Sequence, residues 1–297
     1  MIADLNPGVS LLIDKGLELM EIPRKIVFGP MAIKEVNEVC SEFSPDGKVF
    51  VLSGGKHTTA IADDKVIPVL EEGGLNVKSA SLGSQLASLH SVLNILKKVK
   101  KHKSSLLLAV GGGKVIDVGK AVSSILGIPY ISIPTSAAND GIASPISIIK
   151  SNRGYRSLGT TPPIGVIADI DVISHAPGIF LLSGIGDLIS NLSAALDWEL
   201  AHKEIGEKID VLAKNIAYNS AINILYAFKT KSYESLKDEN LLKDLFYGLI
   251  MSAISMIIAK SSRPASGSEH NISHALDKIC LNQLHGLSLI HISEPTR

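Results

Sequence analysis

Cysteine is nearly absent from this sequence. Its 297 residues hold two, Cys40 and Cys280, which make neither a disulfide framework nor a CxxC pair, and that usage points to a reducing cytoplasm. Excess charge is missing too. With 29 basic against 29 acidic side chains, the chain has no electrostatic footprint for nucleic acid or an anionic membrane surface, and a small partner is expected. Long apolar runs are short of what a bilayer needs. The most hydrophobic stretch, 246–259 (FYGLIMSAISMIIA), falls below the ~20 residues of a spanning helix and reads as a buried core helix, so no membrane insertion is expected. Asp4, Asp14 and Glu18 surround the first apolar patch, in place of the basic region and small-residue cleavage site of a secretory signal. Repeats and low-complexity segments are lacking. What is present is 45% hydrophobic residues with only 25 glycines, which excludes disordered and collagen-like chains and leaves a globular protein, of a length that favours two domains.

From about 48 to 175 short β-branched runs alternate with helical stretches. Val49–Leu52 runs into Ser53-Gly54-Gly55, Leu106–Val110 into Gly111-Gly112-Gly113, Ile131–Ile133 into Pro134-Thr135-Ser136, and Ile164–Ile167 into Ala168-Asp169. This repetition predicts a parallel Rossmann-like α/β sheet with ligands beyond the carboxyl ends of its strands. After Pro177 apolar residues recur at helical spacing, as in Leu181, Leu182, Ile185, Leu188, Ile189 and Leu192, so the second half reads as all-helical. His175-Ala176-Pro177-Gly178 marks the hinge. A cleft between the halves is the expected place for a small-molecule site.

Three segments carry chemistry. In the first, the strand 106–110 feeds Gly111-Gly112-Gly113-Lys114-Val115-Ile116-Asp117, where backbone amides at a helix N-terminus can approach a pyrophosphate. It is neither G-x-G-x-x-G nor a Walker loop, and a tight turn that merely needs glycine is the alternative. The second, Pro134-Thr135-Ser136-Ala137-Ala138-Asn139-Asp140-Gly141-Ile142-Ala143-Ser144-Pro145, sets hydroxyls and an acid at a strand end, suited to a ribose or a polyol, or forms an ordinary polar loop. In the third, Gly186-Asp187 joins Glu269-His270, His274 and His285-Gly286. His270 and His274 share a helical face at i, i+4. One carboxylate with two imidazoles leaves coordination positions open, as a catalytic divalent metal requires; histidines satisfied by core hydrogen bonds are the alternative. His57, His90, His102, His175 and His202 are read as surface or core residues.

Together these segments resemble the archaeal-type sn-glycerol-1-phosphate dehydrogenases, within the superfamily of iron-dependent alcohol dehydrogenases, glycerol dehydrogenase and 3-dehydroquinate synthase. The block 262–277 (SRPASGSEHNISHALD) looks like their metal-site signature. IPRKIVFGP at 22–30, GGGKVID at 111–117, PTSAANDGIASP at 134–145, GDLISN at 186–191 and His285-Gly286 match as well, in the right order over about 20–286. The resemblance implies a dehydroquinate synthase-like fold, with 20–177 as the dinucleotide-binding domain and 178–286 as the helical metal-binding domain. It also implies that Gly113, Lys114, Val115, Ile116, Asp117, Thr135, Ser136, Ala137, Ala138 and Ser144 bind NAD(P)H. Asp140 would contact the substrate. Asp187, His270 and His285 would hold one metal ion, usually zinc, and Asp187 and His274 would face the substrate as catalytic groups. The family commonly has Ser-His-Asp where this chain has Ala138-Asn139-Asp140; the acid is kept.

Family members usually begin near Met20, so 1–19 reads as an extension. The last eleven residues, 287–297 (LSLIHISEPTR), read as the in-frame translation of a sequencing adapter, and they are set aside as a fusion scar would be. The implied activity is metal-assisted, NAD(P)H-dependent reduction of dihydroxyacetone phosphate to sn-glycerol 1-phosphate, for archaeal ether lipids. A glycerol or other alcohol dehydrogenase of the same superfamily is the nearest alternative. A non-catalytic truncated relic, which would bind NADH without turnover, is a further one. The oligomeric state is open, a homo-oligomer included, and so is the cation that takes the phosphate, with Arg153, Arg156, Lys260 and Arg263 as candidates.

Overall fold

The computed structural model describes residues 22–151, 154–229 and 236–279, and the side chains of all of these but 274 and 276–279. Six parallel strands form one sheet in the order β1 (Lys25–Gly29), β8 (Gly165–Asp169), β5 (Tyr130–Pro134), β4 (Leu106–Gly111), β2 (Lys48–Ser53), β3 (Asn76–Ser81). The central strands are apolar runs, broken only by the buried Ser132 of β5, because both faces of a parallel sheet are covered. Val49, Val51, Leu106, Leu108 and Ile131 point to one side. There they meet α1 (Val36–Phe43), α2 (Lys56–Ile61) and α3 (Ile67–Glu72), the last two joined through a π turn. Phe50, Leu52, Leu107 and Ala109 point to the other side, onto α4 (Leu89–His102) and α5 (Gly113–Leu126). Cys40 lies in the first of these layers, fully buried, and burial pushes its thiol up to about 12.

The chain leaves β2 on one face and β4 on the other, so the crossovers diverge between these neighbours. That divergence opens a crevice at their carboxyl ends. Gly54 and Gly111 stand there, and a Cβ on either would lie within 2.8 Å of the Val115 side chain. Glycine is required at both because α5 starts beneath them. An antiparallel hairpin, β6 (Ile146–Ser151) with β7 (Gly154–Gly159), interrupts the passage from β5 to β8.

The helical half follows as α6 (Ile170–Ser174), α7 (Gly178–Ile205), α8 (Val211–Lys229), α9 (Glu239–Ala259) and α10 (Ser268–Ile279). By length and composition α7 and α9 are long and apolar enough to cross a membrane. Both are instead core helices, with Leu181, Ile185, Leu188, Leu245, Phe246 and Leu249 buried in the cluster that also packs on the sheet. Phe246 stacks on Phe28 of β1, ring centroids 4.5 Å apart, and fastens α9 to the sheet edge. Asp238 starts α9 by accepting the Leu241 amide, an ordinary carboxylate N-cap. The extension 1–19 and the tail 287–297 lie outside the described residues.

Candidate active site

The glycine turn after β4 becomes the first turn of α5. Gly112 is the N-cap in extended conformation, and no side chain caps the helix, so the amides at its start are available to an anion. Lys114 is exposed, while Val115 and Ile116 are buried. Those two side chains therefore serve packing, and any grip on a pyrophosphate comes from the backbone. The loop after β5 crosses directly above: the Thr135 amide donates to the Gly111 carbonyl, and Ser136 Oγ lies 3.8 Å from where a Cβ on Gly112 would be. Asn139 Oδ1 accepts the Gly141 amide at 3.0 Å, which turns the loop into the short 3-10 turn Asp140–Ile142. Ser144 follows, buried.

Asp140 and Asp187 meet at the centre. The Asp140 amide donates to Asp187 Oδ2 at 2.9 Å. Ser252 Oγ of α9 donates to Asp140 Oδ2 at 2.9 Å and accepts from Asn191 Nδ2 at 3.0 Å. Burial raises the pKa of Asp140 against the opposing pull of Ser252, His270 and Lys120. Burial and then the Asp140 charge push Asp187 up to about 7. Two such acids side by side favour a cation.

His270 brings an imidazole to this pair of acids. Its Nε2 stands 3.8 Å from Asp187 Oδ1, and its Nδ1 is 2.7 Å from Glu269 Oε1. Glu269 also accepts from the Gly267 amide and from Ser193 Oγ. Burial alone would depress His270, but Glu269, Asp187 and Asp140 outweigh it and raise its pKa. Glu269 is held below its ordinary value by His270 and the Gly267 amide, against burial. With the Nδ1 proton committed to Glu269, a ring that gives up its other proton to a cation would turn its Nε2 lone pair toward Asp187. This carboxylate–histidine arrangement is what metal sites use to fix tautomer and ring angle. Two ligand atoms of a tetrahedral zinc lie about 3.4 Å apart, so the 3.8 Å spacing fits a divalent ion between them with little movement. Among the described residues no cluster of three metal-binding side chains forms. His285 lies outside them, and so does the side chain of His274, whose backbone is one turn past His270 on α10.

The first half of the chain matches the model of the iron-containing alcohol dehydrogenase family over residues 27–177. Over 271 residues the chain is 40% identical to a glycerol-1-phosphate dehydrogenase [NAD(P)+] of Methanothermobacter thermautotrophicus, covering 90% of this chain and 75% of that one. The chain belongs to the glycerol-1-phosphate dehydrogenase family. A second member, from Pyrococcus horikoshii, is 38% identical over 263 residues, with 89% and 74% of the two chains covered. In fold the chain is similar to the crystal structure of glycerol dehydrogenase from Schizosaccharomyces pombe, at a TM-score of 0.75 and 22% identity over 93% of this chain and 70% of that one.

In this member of the glycerol-1-phosphate dehydrogenase family the sequence pattern sets Glu269 beside the histidines without a role of its own, and it does not single out Ser252 and Lys120. Glu269 was signalled by standing next to His270, and Ser252 and Lys120 by being polar inside apolar runs. Of the candidate phosphate cations, Arg263 is paired with Glu207, Lys260 ends α9, Arg156 lies on β7 and Arg153 is outside the described residues. Replacing Glu269 by Gln removes the anionic acceptor for the His270 proton while keeping its shape. Such outer carboxylates are worth about 10–100-fold in metal affinity. Competition with a zinc chelator dye is expected to show a loss in that range, and unchanged affinity would leave Glu269 a purely structural group.

Proposed function

We propose that this chain reduces the C2 ketone of dihydroxyacetone phosphate to glycerol 1-phosphate with NADH or NADPH, and runs the reverse oxidation with NAD(P)+. Residues 20–177 serve as the dinucleotide domain and 178–286 as the metal domain. The observation that carries the reading is the Asp187–His270 pair, with Asp187 buried beside Asp140 and the half-buried His270 braced by Glu269. A divalent cation, zinc in this reading, supplies Lewis-acid stabilisation of the oxygen that becomes negative at C2. The nicotinamide supplies the hydride.

The chain's own residues do the rest. Asp187, His270 and His285 hold the cation. The turn Gly113–Asp117 takes the dinucleotide phosphates on the amides of Gly113 and Lys114, since those of Val115 and Ile116 already bond the Gly112 carbonyl, and Thr135, Ser136, Ala137, Ala138 and Ser144 complete its bed. Asp140 orients a substrate hydroxyl, fixed in turn by Ser252 and Asn191. His274, one turn from His270, passes the proton that completes the alcohol. The enzyme works in the cytoplasm, and its product serves as the glycerophosphate backbone of ether lipids.

NADH oxidation, followed with dihydroxyacetone phosphate and with dihydroxyacetone in the presence and absence of zinc, tests this. Zinc-dependent turnover is expected to favour the phosphate ester by about 10²-fold in kcat/KM, because binding energy from the remote phosphate is used at the reacting carbon. A preference for dihydroxyacetone would move the assignment to glycerol dehydrogenase. NADH binding without turnover of either would leave a binding relic.

A further inference from the structure

Lys120 is a lysine with no exposed surface, on α5 one turn past Asp117. Its ammonium donates to the Ile146 carbonyl at 2.8 Å and to Ser144 Oγ at 3.2 Å. Burial lowers its pKa, against the pull of Asp117 and Asp140, both close enough to act on it. Burying an ammonium is expensive and persists only where partners are fixed. Here both hydrogen-bond partners lie on one segment, the stretch that leaves the Asp140 turn and enters β6. That stretch is otherwise pinned by the Ala143 and Ser144 amides on the Asp140 carbonyl and by Ser147 Oγ on the Asp117 carbonyl. Helix α5 thus holds the glycine turn at its first residues and, through Lys120, the 140–146 segment about two turns further along.

The geometry points to Lys120 as a positioning residue, whose buried ammonium locks the 140–146 segment to the dinucleotide helix and so fixes Asp140 and Ser144 relative to the glycine turn. It rests on the proposed function in taking Asp140 for substrate and Ser144 for cofactor. Lys120 touches neither ligand; it acts through Ser144, Ile146 and Asp140.

The test uses the full chain as wild type, K120M, K120Q and K120R, with NADH affinity from fluorescence titration, steady-state constants and thermal melts. K120M removes both hydrogen bonds and the charge at similar volume. The expected result is a folded protein whose NADH Kd and whose KM for dihydroxyacetone phosphate both rise about 10-fold, with partial recovery in K120R. A purely structural lysine would lower kcat through the active fraction and leave both constants unchanged, and that outcome overturns the proposal. Should K120M fail to fold, K120Q is read in the same way. Unfolding of both, with K120R fully active, would reduce Lys120 to a core charge and overturn it as well. Wild-type protein that binds NADH without turnover sinks the proposed activity alone, and the Kd comparison still decides Lys120. Wild-type protein that binds no NADH overturns both.

Discussion

Asp187→Asn is expected to lower NAD(P)H oxidation by about 10³-fold or more and to release the divalent cation. Several kcal/mol of oxyanion stabilisation go with the metal, and each 1.4 kcal/mol is a factor of ten. Asparagine keeps the size and an acceptor for the Asp140 amide, so the fold should survive. Stability separates the two effects. In the metal-free protein Asp187 has its pKa raised from 3.8 to about 7, so the folded state binds the proton that the unfolded state releases. Stability therefore falls as pH rises through that interval and stays low above it. Asp140, raised in the same direction, adds to the fall. Metal-free wild type should lose stability from pH 4 to 7 and regain it at pH 7 with zinc. D187N should show a weaker fall and no zinc response. His270→Ala should match it in lost metal and turnover. Full metal content and activity in either variant would remove that residue from the ligand set, and equal pH profiles for wild type and D187N would remove Asp187 as the source of the slope.

The central strands were legible because burial on both faces leaves them almost wholly apolar, Ser132 of β5 apart. The runs at 49–52, 106–110, 131–133 and 164–167 are the cores of β2, β4, β5 and β8, each observed one to a few residues longer or shifted. The edges were not. β3 reads Asn-Val-Lys-Ser-Ala-Ser and is mostly exposed, and β7 is exposed along nearly its whole length. Such strands exist through their partners' hydrogen bonds, and no periodicity of their own announces them. The core helix expected at 246–259 extends back to Glu239, since its first turns carry the polar residues of a capped start. At the site, the residue types could be read because glycine turns, an acid on a glycine-supported loop and histidines on one helix face are local signals, whereas the pairing of Asp140 with Asp187 spans 47 residues. For Lys120 and Ser252 the sequence shows a polar residue in an apolar run but not its role, because their partners lie 24 to 112 residues away. Only the folded chain brings Ser144 to the one and Asp140 to the other.

The same long-range logic makes Gly184 the most sensitive small residue of the site. It lies on α7 one turn before Asp187, and a Cβ there would sit 2.0 Å from the Ala137 carbonyl oxygen and 3.0 Å from its carbon. The obstacle is backbone, so no rotamer relieves it. Helix and loop must separate where the Asp140 amide reaches Asp187. In an open helix Gly→Ala would stabilise by about 1 kcal/mol. Here overpacking should exceed that gain, with G184A destabilised by about 2 kcal/mol in urea unfolding. Activity should suffer more, by about 10²-fold in kcat/KM, because a shift near 1 Å in reacting geometry costs that much. Gly248 on α9 supplies the contrast. A Cβ there meets the Leu188 Cδ1 atom at 2.6 Å, the far end of a side chain that can turn aside. G248A is therefore expected to cost less than G184A in both measurements, although both changes add one methyl to a buried helix. If G184A proved as stable as wild type, helix propensity would have won, and α7 would have to stand further from the Ala137 carbonyl. If instead it lost stability but kept full kcat/KM, the contact would be packing alone, and the Asp140–Asp187 hydrogen bond would not be what sets the rate.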